Sequence, residues 1–370
     1  MKSIVLKNNL KDGLAIIEHA LSDGGNLPIL KNILAIAKDG EIELRATNLE
    51  IAVTTKISAK IISNGDFCVS GGLFISLINQ IPTERLELSV TNNTLLIHSD
   101  NNDLELPLSS TEDFPIIPKI EKEVIKVRIT GTKLKNIIDK IILSVGHSEI
   151  RPELSGVYIK INAEEIVFTG TDIFRLAEYR LREVNKIEGL DDGSFECIAP
   201  LKTIQEISRI FNKEEDVECI FSTQEFFIKT KNSEMISRLI NSKFPDYEGM
   251  KIIPDTYETE IEIEKEELIK SIKIIQVLSS LNGEVELKNN GESILEIKST
   301  EKSLGKSHSL IPAKIKGKDT NCVLNIRYFL DGLKSVSEKN VKIWLNGKEK
   351  PALIFNEGTP YLYLVMPVRK

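Results

Sequence analysis

The chain repeats one pattern of apolar residues three times, and this repetition limits the fold more than any other feature of its 370 residues. Apolar residues at i, i+4 and i+7 lie on one face of a helix, so they predict an amphipathic helix. The pattern runs through Leu10, Leu14 and Ile17, returns 124 residues later from Leu134, and returns 134 residues after that from Leu268. Such self-similarity indicates a chain built from like modules.

A second pattern, a strand that leads into a helix, recurs in step with the first. It contains Cys68, Cys197 and Cys322 in the segments FCVSGGLFISLINQI, FECIAPLKTIQEISRI and NCVLNIRYFLDGLKSV. An alternating strand follows each copy, as in Leu86 and Leu88, and period-two alternation indicates a sheet with one buried face. The order helix, strands, helix, strands predicts an α+β fold of three repeated domains, each with two helices packed on an antiparallel sheet.

Each repeat ends near a proline, which cannot continue a central strand and therefore fits a strand end or a linker. The three positions are Phe114-Pro115, Phe244-Pro245 and Met366-Pro367. We therefore predict domain one at residues 1–125, domain two at 126–254 and domain three at 255–370.

The charge of the chain is unevenly distributed. The net charge is −7, which argues against a protein that coats DNA non-specifically. The six predicted helices together carry +5 and the rest of the chain −12. If the helices share one side, that side would neutralise phosphates without reading sequence. The alternative is a set of ordinary solvated helix faces.

Residues that carry catalytic or metal chemistry form no recognisable motif. The four cysteines are far apart without a CxxC pair and fit the core as small apolar residues, and the four histidines lack HxxxH spacing. We therefore expect no enzyme activity, no metal and no cofactor. No apolar run approaches the ~18 residues of a membrane span, and the start lacks the apolar region of a secretory signal. These features predict a cytoplasmic protein that does not bind membranes.

Six segments resemble the bacterial sliding clamps, the beta subunits of the replicative DNA polymerase. The segments are LPILKNIL (27–34), STEDFPIIP (110–118), TDIFRLAEYR (171–180), FPDY (244–247), NIRYFLDGLK (325–334) and LVMPVRK (364–370). The resemblance implies a DNA clamp fold in which each subunit forms half of a closed ring. It further implies a homodimer that encircles duplex DNA without sequence preference and confers processivity by tethering the replicative polymerase subunit. The implied partners also include an ATP-dependent clamp loader and other proteins that carry clamp-binding motifs.

The resemblance also implies a pocket for partner peptides between domains two and three. The positions that match the family's pocket are Leu154, Thr171, Arg175, Leu176, Pro245, Asn325, Tyr328, Val365, Met366, Pro367, Val368 and Arg369. Core packing is the alternative for each apolar member. The family commonly has Gly-His where this chain has Ile173 and Phe174, so we expect a more apolar pocket here.

Two further sets of residues are candidates for contacts with DNA and with a second subunit. On grounds of charge, the DNA-facing candidates are Lys133, Lys135, Lys202 and Arg209. Leu104 and Leu106 form an alternating pair on a predicted edge strand, and an exposed edge invites pairing with another chain. The resemblance places Val277 and Leu281 on the facing helix of the dimer interface.

The sequence leaves three functional hypotheses. The first is a non-enzymatic processivity clamp that holds DNA topologically. The second is a three-repeat enzyme with a site between repeats, which would need convergent titratable groups. The third is a monomeric protein-interaction scaffold.

Overall fold

A computed structural model of the chain describes residues 1–22, 24, 27–119, 125–182, 187–190, 193–278, 283–289, 291–299 and 305–369. These residues form six α-helices and 25 β-strands, and the strands pair in antiparallel sheets. The predicted α+β class is confirmed.

The first repeat contains eight strands and two helices. Their bounds are β1 (Lys2–Leu6), α1 (Lys7–Ile17), β2 (Asn32–Lys38), β3 (Glu41–Thr47), β4 (Ile51–Ser63), β5 (Gly65–Ser70), α2 (Gly71–Gln80), β6 (Arg85–Thr91), β7 (Thr94–His98) and β8 (Asp103–Pro107).

The second repeat follows the same order with one additional short strand. Its elements are β9 (Ile125–Thr130), α3 (Gly131–Ile141), β10 (Gly156–Ile161), β11 (Ile166–Thr171), β12 (Arg175–Leu181), β13 (Ile187–Glu188), β14 (Phe195–Pro200), α4 (Leu201–Ile210), β15 (Asp216–Phe221), β16 (Glu225–Lys229) and β17 (Ser233–Arg238).

The third repeat returns to eight strands and two helices. Its elements are β18 (Thr259–Glu264), α5 (Lys265–Val277), β19 (Glu284–Asn289), β20 (Ile294–Ser299), β21 (His308–Gly317), β22 (Asn321–Asn325), α6 (Ile326–Ser335), β23 (Asn340–Leu345), β24 (Ala352–Phe355) and β25 (Tyr361–Val365).

The apolar triads that predicted the first helix of each repeat are buried against the sheets. Leu10, Leu134 and Leu268 are at most 4% exposed, as are the other members of their triads. The helix α1 lies so close to β4 that a Cβ at Gly13 would meet Ile57 Cγ2 at 2.6 Å. The helix period therefore identified the buried faces correctly.

The described residues form two compact units, each with one continuous sheet. Unit one comprises Met1–Lys135, Asn185–Asp191 and Gln205–Leu239, and unit two comprises Asn136–Val184, Asp192–Ile204 and Ile240–Lys370. Within unit one, β17 of the second repeat pairs with β4 of the first; within unit two, β25 of the third repeat pairs with β12 of the second. A unit therefore joins parts of two successive repeats through their sheets. The predicted boundaries after residues 125 and 254 stay predictions.

All four cysteines are free thiols in largely apolar surroundings. Burial raises the pKa of the Cys322 thiol to about 12 and, together with the charge of Glu218, that of Cys219 to about 12. These thiols are therefore protonated and poor nucleophiles at neutral pH. Among the described helices, none is both long and apolar enough to cross a membrane.

Candidate functional site

An apolar cavity of about 480 Å³ lies within unit two. Its walls come from the β11–β12 turn, the segment 244–254, the loop before β24, and the end of β25 with the residue after it. The residues that line it are Arg151, Thr171, Ile173, Arg175, Leu176, Phe244, Pro245, Tyr247, Met250, Lys251, Ile252, Pro254, Lys350, Pro351, Leu364 and Met366. A concave apolar surface with a few charged groups is the usual form of a binding site.

One wall of the cavity is fixed by a buried arginine. Arg175 is 7% exposed, and its Nε donates to Asp172 Oδ2 at 2.8 Å while Nη1 donates to Asp331 Oδ2 at 2.7 Å. The guanidinium also lies over the Tyr328 ring, with Cζ 4.3 Å from the ring centroid. Burial by itself would lower the pKa of Arg175. The interactions of the guanidinium with Tyr363 and Asp172 are stronger and raise that pKa above its ordinary value. The arginine therefore ties the β11–β12 turn to α6.

The segment 244–254 is held on the sheet by two aromatic residues. The Phe244 ring stacks on the Tyr158 ring with the centroids 4.6 Å apart. The Tyr247 hydroxyl donates to Glu178 Oε2 at 2.6 Å and lies 3.0 Å from Thr169 Oγ1. Burial and the Glu178 carboxylate both raise the pKa of Tyr247. These contacts fix a segment that has no regular secondary structure of its own.

A charge network continues from this anchor to the surface. Arg180 bonds Glu178 through Nε at 2.6 Å, Glu165 through Nη1 at 2.7 Å and Glu248 through Nη2 at 2.8 Å. Lys160 Nζ donates to Glu248 Oε2 at 2.7 Å. The hydrogen bond from Lys160 and the nearby Arg180 hold the pKa of Glu248 below its ordinary value. Ionised Glu248 therefore stabilises the folded form of the segment.

This network predicts a specific pH dependence. Folding lowers the pKa of Glu248, so ionised Glu248 stabilises the folded protein. This stabilisation is complete when the pH is well above the pKa of about 4.5 that the group has in the unfolded chain, and it is lost as the pH falls through the lower pKa of the folded protein. We expect Glu248→Gln to unfold at a lower urea concentration than wild type at pH 7, and this difference to shrink on acidification to about pH 3.5. Fluorescence of Trp344, the one tryptophan of the chain, reports unfolding of unit two.

The control for this experiment is Glu349→Gln, which replaces an exposed glutamate of the same unit. Its urea midpoint should follow that of wild type at both pH values. An undiminished Glu248→Gln difference at acid pH would contradict the assigned role of the carboxylate.

Five of the predicted pocket residues line the cavity: Thr171, Arg175, Leu176, Pro245 and Met366. Others lie behind or beside it. Leu154 and Val365 are buried, Asn325 Oδ1 accepts from the Tyr328 backbone N–H, and the Val368 N–H donates to Val323 O. Tyr328 lies beneath Arg175, Pro367 is buried, and Arg369 is exposed.

Several residues that line the cavity were not predicted. Met250, Lys251, Ile252 and Pro254 belong to a stretch whose prolines and charges indicated only a linker. The one signal in the sequence was that Met250, Ile252 and Ile253 place three large apolar residues within four positions, which is unusual for a solvated connection.

The predicted DNA-facing residues are two pairs on the second repeat's helices. Lys133 and Lys135 are partly exposed on α3, while Lys202 and Arg209 are exposed on α4. Arg209 Nη1 also donates to Glu206 Oε1 at 2.9 Å. Their role toward DNA stays a prediction.

The predicted dimer residues differ in accessibility. Val277 is 80% exposed, Leu104 is partly buried and Leu106 is 5% exposed. The side chain of Leu106 therefore packs into its own unit. Leu281 lies outside the described residues.

Comparison with known proteins gives consistent matches along the chain. Family profiles of the DNA polymerase III beta subunit match its N-terminal domain at residues 1–118, its central domain at 128–246 and its C-terminal domain at 250–369. The beta sliding clamp of Bacillus subtilis is 27% identical over 384 residues, with 100% of both chains covered. That of Staphylococcus aureus is 26% identical, with 95% of this chain and 94% of the relative covered.

Solved structures agree with the sequence matches. The crystal structure of the DNA polymerase sliding clamp from Bacillus subtilis matches with a TM-score of 0.94 at 26% identity, covering 100% of this chain and 99% of the other. The DNA polymerase III beta subunit of Pseudomonas aeruginosa matches in fold, with a TM-score of 0.93 at 20% identity over the full length of both chains.

The repeated α+β modules and these matches define the class as DNA sliding clamps. Within that class, the chain belongs to the DNA polymerase III beta subunit family.

Proposed function

We propose that two copies of this chain join head to tail into a ring that encircles duplex DNA in the cytoplasm and tethers the replicative polymerase subunit. The ring has no catalytic role, is opened by an ATP-dependent clamp loader, and binds short partner peptides in the cavity of unit two. The relatives named above are called sliding clamps, which supports this proposal.

One feature of strand pairing carries the proposal. The last strand of a repeat pairs with the fourth strand of the preceding repeat through five residue pairs, as β17 does with β4 and β25 with β12. By this pattern, the last strand of the first repeat, β8, has no preceding repeat to pair with, and the fourth strand of the third repeat, β21, has no following one. Among the described residues, β8 and residues 308–312 of β21 each therefore keep one edge without such a neighbour. A β8 edge on one copy therefore matches a β21 edge on another. Two such joints close a ring of two copies.

The side chains near these edges support the same joint. At the β21 end, Leu310 is 51% exposed, and Ile274 and Val277 on α5 are 59% and 80% exposed. At the β8 end, Leu73 on α2 is 47% exposed. Burying large apolar side chains of this kind contributes about 25 cal/mol per Å².

The proposal is tested by loading the protein with its clamp loader onto nicked circular DNA. A ring held by topology stays on the circle at about 0.5–1 M salt, where phosphate contacts are weakened by screening. Cutting the circle once should release it, because a ring slides off free ends. Gel filtration of the protein–DNA complex measures the retained fraction.

The control is the same DNA cut before loading. Loss from uncut circles at moderate salt, or equal retention on cut and uncut DNA, would contradict topological binding. Retention on cut DNA in low salt alone would indicate ordinary phosphate contacts.

A further inference from the structure

A second cavity, of about 320 Å³, lies within unit one, where elements of the first two repeats meet. The helix α1 contributes one of its faces, through residues at i, i+3, i+4 and i+7 from Asn9 to Ile16. The other walls come from β4, from the end of α4 with the residues after it, and from the turn between β16 and β17. Ligand sites commonly have volumes of about 300–1,000 Å³, so a cavity of this size suits a small molecule.

Small side chains leave this cavity open at the seam of unit one, the pairing of β17 with β4. In that seam Ser233 lies opposite Thr55. At the same place in the seam of unit two, the pairing of β25 with β12, Tyr361 lies opposite Tyr179, and both tyrosines are buried. The repeated module therefore accommodates two tyrosine rings at these positions, and its fold does not require the space that unit one keeps.

The helix that faces each seam differs in the same direction. Gly13 and Ile16 of α1 line the cavity, and the residues 124 positions later, on α3, are Ile137 and Lys140. Ile137 is buried, and Lys140 Nζ lies 5.1 Å from the centroid of the Tyr361 ring. The seam of unit two is thus filled from its helix as well as from its strands, whereas α1 presents a glycine.

Main-chain hydrogen bonds hold two walls of the cavity in place. The Lys56 N–H donates to Asn232 O at 2.9 Å, which fixes the turn between β16 and β17 against β4. The Gly131 N–H donates to Glu215 O at 3.0 Å, which fixes the segment after α4 against the start of α3. A ligand therefore meets a preformed site and loses little entropy in ordering it.

The charges on the walls are balanced. Two acids and two bases, all of them exposed, line the cavity: Asp12, Glu215, Lys56 and Lys213. Lys56 Nζ lies 3.8 Å from Glu41 Oε2, whereas the other three make no ion pair within 4 Å in the part of the chain that the structure describes. Equal numbers of both signs disfavour an anion such as phosphate and favour a ligand that carries both charges itself.

We propose that this cavity binds a small zwitterion, namely a free amino acid with an aliphatic side chain. The ammonium group of the ligand pairs with the carboxylates of Asp12 and Glu215, and its carboxylate pairs with Lys56 and Lys213. Its side chain contacts Ile16, the half-buried apolar residue of the lining. The inference is independent of the ring and of the peptide cavity, because every residue that lines the site belongs to unit one.

The test titrates the full chain with L-leucine and follows the ligand by saturation-transfer NMR. We expect a Kd on the order of 1 mM, which is ordinary for a ligand of this size. The analogues 4-methylpentanoate and isopentylamine each keep the aliphatic chain and only one of the two charges. They should bind about 5-fold more weakly than leucine, the effect of losing one partly exposed ion pair. Glucose and inorganic phosphate should not compete with leucine.

Two variants connect the binding to the cavity. Ser233→Tyr copies the seam of unit two, so it should fill the cavity and weaken leucine binding at least about 10-fold while circular dichroism stays unchanged. Asp12→Asn changes an exposed residue, keeps the fold and should weaken binding about 5-fold. The matched control is Glu18→Gln, an exposed acid just beyond α1 that does not line the cavity and should leave the Kd unchanged.

Four results would overturn the proposal. They are the absence of leucine binding at about 50 mM ligand, equal binding of leucine and its two singly charged analogues, displacement of leucine by glucose or phosphate, and wild-type affinity in both Ser233→Tyr and Asp12→Asn.

Discussion

Replacing Glu105 by proline is expected to convert the dimer into a folded monomer of 41.5 kDa. At the two ends of the β7–β8 pair, the Leu108 N–H donates to Asn93 O and the Ser99 N–H donates to Asn102 O, and these bonds set the alternation of the β7–β8 ladder. The N–H of Glu105 consequently points away from β7. Proline at this position removes a donor from the outer edge and keeps the inner ladder, an arrangement that edge strands tolerate.

The loss should be large because the joint depends on main-chain pairing. A proline within a paired strand removes a ladder hydrogen bond and leaves its acceptor unpaired, which costs about 1.5 kcal/mol at each joint. Over the two joints of the dimer this is about 3 kcal/mol, or about a hundred-fold in the dimer dissociation constant. Sedimentation equilibrium measures the mass. Glu105→Val is the control, because it keeps the N–H and should leave the dimer intact.

The opposite edge offers an independent variant. Ala313 and Ile315 donate toward the β20 side, so the N–H of Leu310 points to the free edge of β21. Leu310→Pro should therefore dissociate the dimer as Glu105→Pro does. A dimeric mass for both variants, with circular dichroism unchanged, would place the joint elsewhere.

The helices could be predicted from the sequence because their signal is local. Leu10, Leu14 and Ile17 define a buried face by spacing alone, and the same spacing identified α3 and α5. Which strands pair across repeats had no such signal. The pairing of β17 with β4 joins residues about 180 positions apart. Alternation of apolar residues predicts which face of a strand is buried, but it does not predict which strand lies beside it.

Leu106 illustrates the same limit at one residue. Its alternation with Leu104 predicted an apolar edge available to a partner, yet Leu106 is 5% exposed and packs into its own unit. A period of two cannot tell an internal core from an interface. The feature of β8 that we expect a partner to pair with is the free edge of its backbone, and backbone N–H and C=O groups give no signal in the sequence.

The cavity was predictable only in part. Thr171, Arg175 and Leu176 follow from the resemblance of one short motif, whereas the wall at 250–254 depends on contacts with distant residues. The hydrogen bond from Tyr247 to Glu178 spans 69 positions and holds that wall in place. The prolines and charges of this stretch indicate only a connection in the sequence, and tertiary packing makes it a wall of the cavity.

The bond between Arg175 and Asp331 predicts the largest loss of stability from a change at the site. Arg175→Met keeps the apolar stem of the side chain and removes the guanidinium, so Asp172 and Asp331 lose their shared cation in a largely buried place. Removing one partner of a buried ion pair costs about 3–5 kcal/mol. We therefore expect the urea midpoint reported by Trp344 to fall by roughly 1–5 M, given an m-value of about 1–3 kcal/mol/M.

Two further variants separate charge from packing in this prediction. Arg182→Met removes an arginine of the same unit whose pairing with Glu165 is exposed to solvent, and it should change stability by less than about 1 kcal/mol. Adding Asp331→Asn to Arg175→Met removes one of the carboxylates left without a cation and should recover part of the lost stability.

Because Arg175 also fixes the turn at the cavity rim, Arg175→Met alone should weaken peptide binding even at urea concentrations at which the variant is still folded. If Arg175→Met unfolds at the same urea concentration as wild type, the arginine does not hold the β11–β12 turn to α6.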